Sequence, residues 1–301
     1  MAEISPAETY IGLARLGRTD GWGVVRAFTR IALYIALFIL LGGVAIGAVS
    51  AFAPKWAAMF GRAAADPIGQ LVLILIAFSL MLWAIRDAVV KSQRRPFLSL
   101  FGPDLRLDWR RVLLGAGIWL VSMIFGLGLQ ALIGVVLGQA IDWPDPWPFD
   151  WSLLPVAAVA LVVIPLQAGT EELLCRGWLT QMLGQAIRSR VVVVLLVAGV
   201  FALLHAVGSL FAILYFMIVS LVFSAITLRD GRLELSIGAH AAQNLFVLLV
   251  VSPIAEAGHA PTLLGSDPGQ MPWTELPLAV GIGGFAYVLC GWLAPRLKAR
   301  G

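Results

Sequence analysis

The sequence predicts an all-α fold, a polytopic membrane bundle of about eight transmembrane helices, and three observations predict it. Hydrophobic residues make up 60% of the 301-residue chain and charged residues only 13%, with mean hydropathy +0.92. A soluble domain carries about 25% charged residues. Apolar runs near the roughly 20 residues that a bilayer core requires recur along most of the chain. Of the 21 Lys and Arg residues, 19 fall in segments that such a topology puts on the N-terminal side of the membrane, and only Lys55 and Arg62 fall on the other. That split follows the positive-inside rule and predicts both termini in the cytoplasm, in the plasma (inner) membrane if the source is bacterial. The net charge of +4 is thereby topological, and no nucleic-acid partner is expected.

Residues 1–30 read as a cytoplasmic N-terminal segment ahead of a membrane-embedded domain, 31–301. Arg15, Arg18, Arg26 and Arg30 stand there among Tyr10, Leu13, Leu16, Trp22 and Phe28, a mixture that suits either a helix on an anionic membrane surface or a plain tail. The first apolar run starts only at Ile31 and exceeds the h-region of a cleaved signal peptide, roughly 7–15 residues. It is the first span, Ile31 to Phe52. A short loop with Pro54 and Pro67 leads to the second, Ile68 to Ile85, and a basic loop with seven Lys or Arg follows. The third span, Val112 to Gly138, holds glycines at 115, 117, 126, 128, 134 and 138, which let helices approach closely. The stretch 141–151, rich in Trp, Pro and Asp, reads as an interfacial aromatic belt, with a lid as the alternative. Span four begins at Ser152, with a kink expected at Pro165. Spans five to eight are Val191–Gly208, Ser209–Leu228, Ile237–Ser252 and Leu276–Ala294, and the loop before the last carries Glu256, His259, Asp267 and Glu275. Cys175 and Cys290 lie in or beside apolar segments, so no structural disulfide is expected.

The informative residues are ionisable groups inside the apolar runs, where they are expensive and are functional candidates by default. Glu171 and Glu172 are adjacent, about 100° apart on a helix, and Arg176 follows Glu172 by one turn. That spacing predicts a Glu172–Arg176 pair and leaves Glu171 free. Phe201 and His205 share a helix face at i, i+4, and so do His240 and Asn244. A carboxylate and an imidazole sharing a water make a general base, while His and Asn can donate hydrogen bonds to an oxyanion. Glu171, His205 and His240 also match the ligand set of a catalytic zinc. Spacing does not choose between these. Taken singly, each residue could equally be helix–helix glue.

Three motifs in order, Glu171-Glu172-Leu-Leu-Cys-Arg176, Phe201-Ala-Leu-Leu-His205 and His240-Ala-Ala-Gln-Asn244, resemble the CPBP family of intramembrane proteases. This is the ABI or CAAX-protease family, and it includes the type II CAAX prenyl endopeptidases. The resemblance covers about residues 150–250, with a catalytic core at about 150–252. Cys175 stands where the family often has Phe, a difference of packing. The resemblance implies hydrolysis of a peptide bond in a membrane-associated protein or peptide, of CAAX type or bacteriocin-related. Glu171 would activate water with His205 assisting, His240 and Asn244 would hold the oxyanion, and Glu172 and Arg176 would shape the site. Both a metal-dependent and a glutamate mechanism are argued for the family; the glutamate one, with no required cofactor, is favoured because Asn is a poor zinc ligand and a good oxyanion donor, and zinc is the alternative. The alternatives are an inactive scaffold or immunity protein on the same fold, and a proton relay through Glu171, His205 and His240 in a transporter.

Depth is an open point. With straight spans, His205 lies about 21 Å above the start of span five, whereas Glu171 lies about 28 Å along span four and so near the cytoplasmic face with His240. Either the span-four helix continues to about Ile187 and Glu171 is deep, or the turn after His205 sinks into the membrane.

Overall fold

A computed structural model describes residues 5–17, 20–136, 138, 151, 153–205, 210–251 and 275–298. All regular structure among them is helical. In order these are α1 (Pro6–Gly12), α2 (Gly21–Phe52), α3 (Pro54–Ala65), α4 (Pro67–Asp87), α5 (Trp109–Val136), α6 (Leu153–Glu172), α7 (Thr180–Ala186), α8 (Arg190–Leu204), α9 (Leu210–Asp230), α10 (Glu234–Phe246) and α11 (Glu275–Lys298). The stretch 141–150 and the loop with Glu256, His259 and Asp267 lie outside the described residues.

The eight predicted spans all find an apolar helix, but not eight equal ones. Six helices are long and apolar enough to cross a membrane: Gly21–Phe52, Pro67–Ser92, Trp109–Val136, Leu153–Ala186, Leu210–Asp230 and Leu276–Leu297. Arg190–Leu204 and Glu234–Val250, at the places of spans five and seven, are shorter. The 15 residues of α8 rise only about 22 Å, against a hydrocarbon core of about 30 Å. The chain is thus an integral membrane helix bundle whose two short helices sit beside longer ones.

Three local readings change. The boundary drawn at residue 30 falls inside a continuous helix, because Asp20 caps α2 by accepting from the Gly23 N–H at 3.2 Å. Ahead of it, α1 and the 3₁₀ turn Leu13–Leu16 form neither a free tail nor an isolated surface helix. Tyr10 is fully buried against the bundle, and Ala14 is nearly so. The expected loop at 54–67 is mostly the helix α3, started by Pro54 at its first position and stopped at Asp66, which caps α4. Trp56 and Phe60 lie one turn apart on it, 6.3 Å between centroids.

The core is organised around α10, which packs most extensively on α5 and then on α6 and α9. Glycine makes the first contact close. A Cβ at Gly115 would lie 2.1 Å from the Leu235 carbonyl oxygen, and one at Gly238 would lie 1.9 Å from that of Val112. Of the other span-three glycines, Gly126 takes the Ile282 side chain, while Gly117 and Gly128 face open space. Below this crossing, Arg232 clamps the loop 101–108 to the start of α10. It bonds Asp104 at 2.6 Å and the Glu234 carboxylate, which also accepts from the Asp108 backbone N–H at 3.1 Å. Arg232 and Arg106, both paired with Asp104, hold that carboxyl below its ordinary range.

Candidate active site

The helix from Leu153 does not stop at the glutamates. It continues through Pro165 and Glu172 into a π-helical segment, Leu173–Leu179, and then α7, so that 34 residues run unbroken to Ala186. Glu171 therefore lies near the middle of a rod of about 51 Å, longer than the bilayer core. This is the continuation to about Ile187 that a deep Glu171 requires. π-segments are rare and concentrate at functional sites because the widened turn re-aims side chains. Here the widened turn holds Arg176.

Glu172 and Arg176 form the floor of the site. Both side chains are fully buried, with Arg176 Nη1 2.7 Å from Glu172 Oε1, the pairing that their spacing predicts. The same oxygen meets His240 Nδ1 at 2.8 Å, so a residue of α10 is tied to the π-turn. The Arg176 guanidinium also lies 4.4 Å over the Phe201 ring and 5.5 Å from that of Phe223. A buried charge pair needs such supplementary contacts to offset its desolvation.

Glu171 points elsewhere. Its Oε1 accepts from Gln167 Nε2 at 2.8 Å, and Gln167 Oε1 accepts in turn from Asn244 Nδ2 at 3.2 Å. Its Oε2 accepts no hydrogen bond from the protein and lies 3.5 Å from His240 Nε2. The Glu171 side chain is 14% exposed, against none for Glu172, so the two neighbours occupy different environments. His240 is held in place by aromatic rings, stacked on Phe223 at 5.2 Å and edge-on to Phe201 at 5.8 Å. With Nδ1 on a carboxylate, its working edge is Nε2.

His205 caps the C-terminus of α8 and is half-buried. Its Nδ1 bonds the Phe201 carbonyl oxygen at 2.7 Å, and its ring stacks on Phe216 at 4.1 Å and lies 4.4 Å from Phe201. Both imidazoles thus touch the Phe201 ring, His240 on the Glu171 side. Among the described residues no group of three or more His, Cys, Asp and Glu side chains converges into a set that could hold a metal ion. Glu171 and His240 converge, whereas the described contacts of His205 are with Phe201 and Phe216.

Two contributors escaped the sequence reading. Gln167 was hidden inside a run read as apolar, although it is a polar residue one turn before Glu171, and that spacing was the available signal. Phe223 had no signal, since an aromatic residue in an apolar span reads as core.

Residues 150–246 match the family described as type II CAAX prenyl endopeptidase Rce1-like. The uncharacterized protein YyaK of Bacillus subtilis (strain 168) is 27% identical over 223 residues, which cover 69% of this chain and 70% of that protein. No solved structure matches. The segment that carries Glu171, Glu172, Arg176, Phe201, His205, His240 and Asn244 is therefore similar to the CAAX-type prenyl endopeptidases, the family that its three motifs resemble.

Proposed function

We propose that this chain is a membrane-embedded endopeptidase that hydrolyses a peptide bond of a membrane-associated protein or peptide, with Glu171 as the base that activates water. The observation that carries the reading is the unbonded Glu171 Oε2 facing His240 Nε2 across 3.5 Å on a side chain that is 14% exposed, beside Glu172, which is fully buried and tied through Oε1 to Arg176 and His240. A water beside both atoms gives a proton to Glu171 Oε2 as its oxygen attacks the substrate carbonyl carbon. His240, whose Nδ1–H is held by Glu172, presents Nε2 to the oxygen of that carbonyl and, as the imidazolium, donates its Nε2 proton to the oxyanion. The proton on Glu171 then passes to the leaving amine as the C–N bond breaks.

Gln167, itself held by Asn244, donates to Glu171 Oε1 and so aims Oε2 at the water, and Asn244 keeps a second amide proton for the oxyanion. His205, beyond Phe201, has Nδ1 on the Phe201 carbonyl, and in this reading its Nε2 assists at the leaving-group side. No step is routed through a metal. The termini and the basic loops lie on the cytoplasmic face in this reading, which admits substrates from that side.

The test is cleavage of prenylated and unprenylated peptide libraries by the protein in liposomes. Wild type is expected to cleave, and Glu171→Gln to slow the reaction by at least about 100-fold, the usual scale for removing a general base. Equal rates for the two proteins would overturn the role of Glu171. A zinc chelator is expected to leave the rate unchanged, and loss of activity restored by zinc would overturn the glutamate mechanism. A wild type that cleaves nothing in either library would favour a scaffold role.

A further inference from the structure

A groove between α2 and α4 has no part in the site above. It encloses about 630 Å³ and is almost wholly apolar, lined by Tyr34, Phe38 and Gly42 on one wall and by Phe78, Met81 and Trp83 on the other. Its α2 wall packs on α3, α4 and the π-turn Ala88–Ser92, whereas α4 in turn packs on α6, so α4 stands between the groove and the Glu171 helix.

One end of the groove is charged. Asp87, 4% exposed, accepts from Tyr34 Oη at 2.9 Å and pairs with Arg30 and Lys91, each at 2.7 Å. The two cations are 36% and 63% exposed, so two outward positive charges face one buried negative charge. Arg26, also exposed, precedes Arg30 by one turn on the same face of α2. From Arg30 to Gly42 the helix rises about 18 Å, close to half of a hydrocarbon core of about 30 Å. At the far end, a Cβ on Gly42 would meet nothing within 4 Å. The apolar trough thus has the length of one leaflet's acyl chain, and its mouth carries net positive charge at the end that the Lys and Arg distribution assigns to the cytoplasm.

We propose that the groove between α2 and α4 binds an acyl chain of an anionic phospholipid of the cytoplasmic leaflet, with the lipid phosphate against Arg30 and Lys91. A phosphate there restores charge balance at the Asp87 cluster. The acyl chain covers Phe38, 39% exposed, and lies along the half-buried Phe78 and Met81. A zwitterionic lipid would fill the same trough without the charge term.

The test is native mass spectrometry of the full chain, released from micelles doped with phosphatidylglycerol or phosphatidylcholine. One phosphatidylglycerol is expected to stay bound under activation that strips phosphatidylcholine. Lys91→Gln should weaken its retention by about five-fold and the Arg30→Gln/Lys91→Gln pair by about 25-fold, at the usual value of a juxtamembrane cation. Gly42→Trp, which has space for the ring, should displace both lipids. Should the double variant fail to fold, Lys91→Gln and Gly42→Trp still decide. Equal retention of the two lipids, or wild-type phosphatidylglycerol retention in Lys91→Gln and Gly42→Trp, would overturn the proposal. So would Gly42→Trp changing the oligomeric state while leaving lipid retention intact, since a second copy would then be the occupant.

Discussion

Two adjacent glutamates do different work here because of what each can reach. Glu172 reaches Arg176 and His240 and is sealed from solvent, while Glu171 reaches Gln167 and leaves one oxygen bare. This contrast predicts opposite outcomes from two substitutions. Arg176→Ala strands the Glu172 carboxylate in a dry interior and should destabilise the protein by about 3–5 kcal/mol. Glu171→Gln keeps the shape and the Oε1 acceptor and should change stability by no more than about 0.5 kcal/mol. Denaturant unfolding in mixed micelles, followed by tryptophan fluorescence, measures both. If Glu171→Gln proved as destabilising as Arg176→Ala, the bare carboxylate would be a structural member of the floor.

At the level of elements, the site depends on the crossing of α5 and α10. His240 sits two residues beyond Gly238, whose missing side chain lets α10 lie against the Val112 carbonyl. Gly238→Ala should push the helices apart and carry His240 away from both glutamates, lowering kcat by at least about tenfold, a modest fraction of what misplacement at a reacting centre can cost. Gly117→Ala, on the same α5 but facing open space, should leave kcat unchanged, and paired cleavage assays of the two variants separate packing from helix propensity. How much of this was legible follows from period and length. Helix type, the apolar runs and the Glu172–Arg176 pair came from spacing, because i, i+4 contacts survive most distortions. Helix ends did not, since Asp20 caps α2 eleven residues before its apolar run begins and α3 is amphipathic in a stretch bracketed by prolines. The π-turn at Leu173–Leu179 leaves no mark in the sequence, and the contacts around it, from His240, Phe201 and Phe223, come from other helices. The depth problem arose from treating all spans as full-length, whereas α8 is short and the Glu171 helix is long.

For the whole molecule, the membrane core and the loops beneath it answer differently to acid. The clamp of Arg232 on Asp104 and Glu234 ties the loop 101–108 to the base of α10. The Asp104 carboxyl titrates below its ordinary value in the folded chain because Arg232 and Arg106 stabilise its charged form. A depressed folded value means that this contribution is complete above the unfolded carboxylate range and is lost as pH falls through the folded value. Thermal unfolding should therefore shift to lower temperature as pH drops from about 6 toward 3, and Asp104→Asn should flatten that part of the profile. A variant that keeps the full acid dependence would assign it to other carboxylates.

The burial of Tyr10 carries a consequence for the order in which the protein matures. Its hydroxyl donates to the carbonyls of Leu100, at 2.7 Å, and of Arg176, at 3.3 Å, and Arg15 reaches Gln185 across a sequence separation of 170 residues. A ribosome making the chain emits α1 well before the far side of its seat, since Arg176 follows Tyr10 by 166 residues and Gln185 follows Arg15 by 170. During that interval α1 has only the Leu100 side of its seat, and the π-turn that holds Arg176 meets its brace already made. The seat of α1 is thus complete before the candidate site is, because His240 and Asn244 are made later still. A nascent chain paused before residue 186 would carry both glutamates and yet be inert.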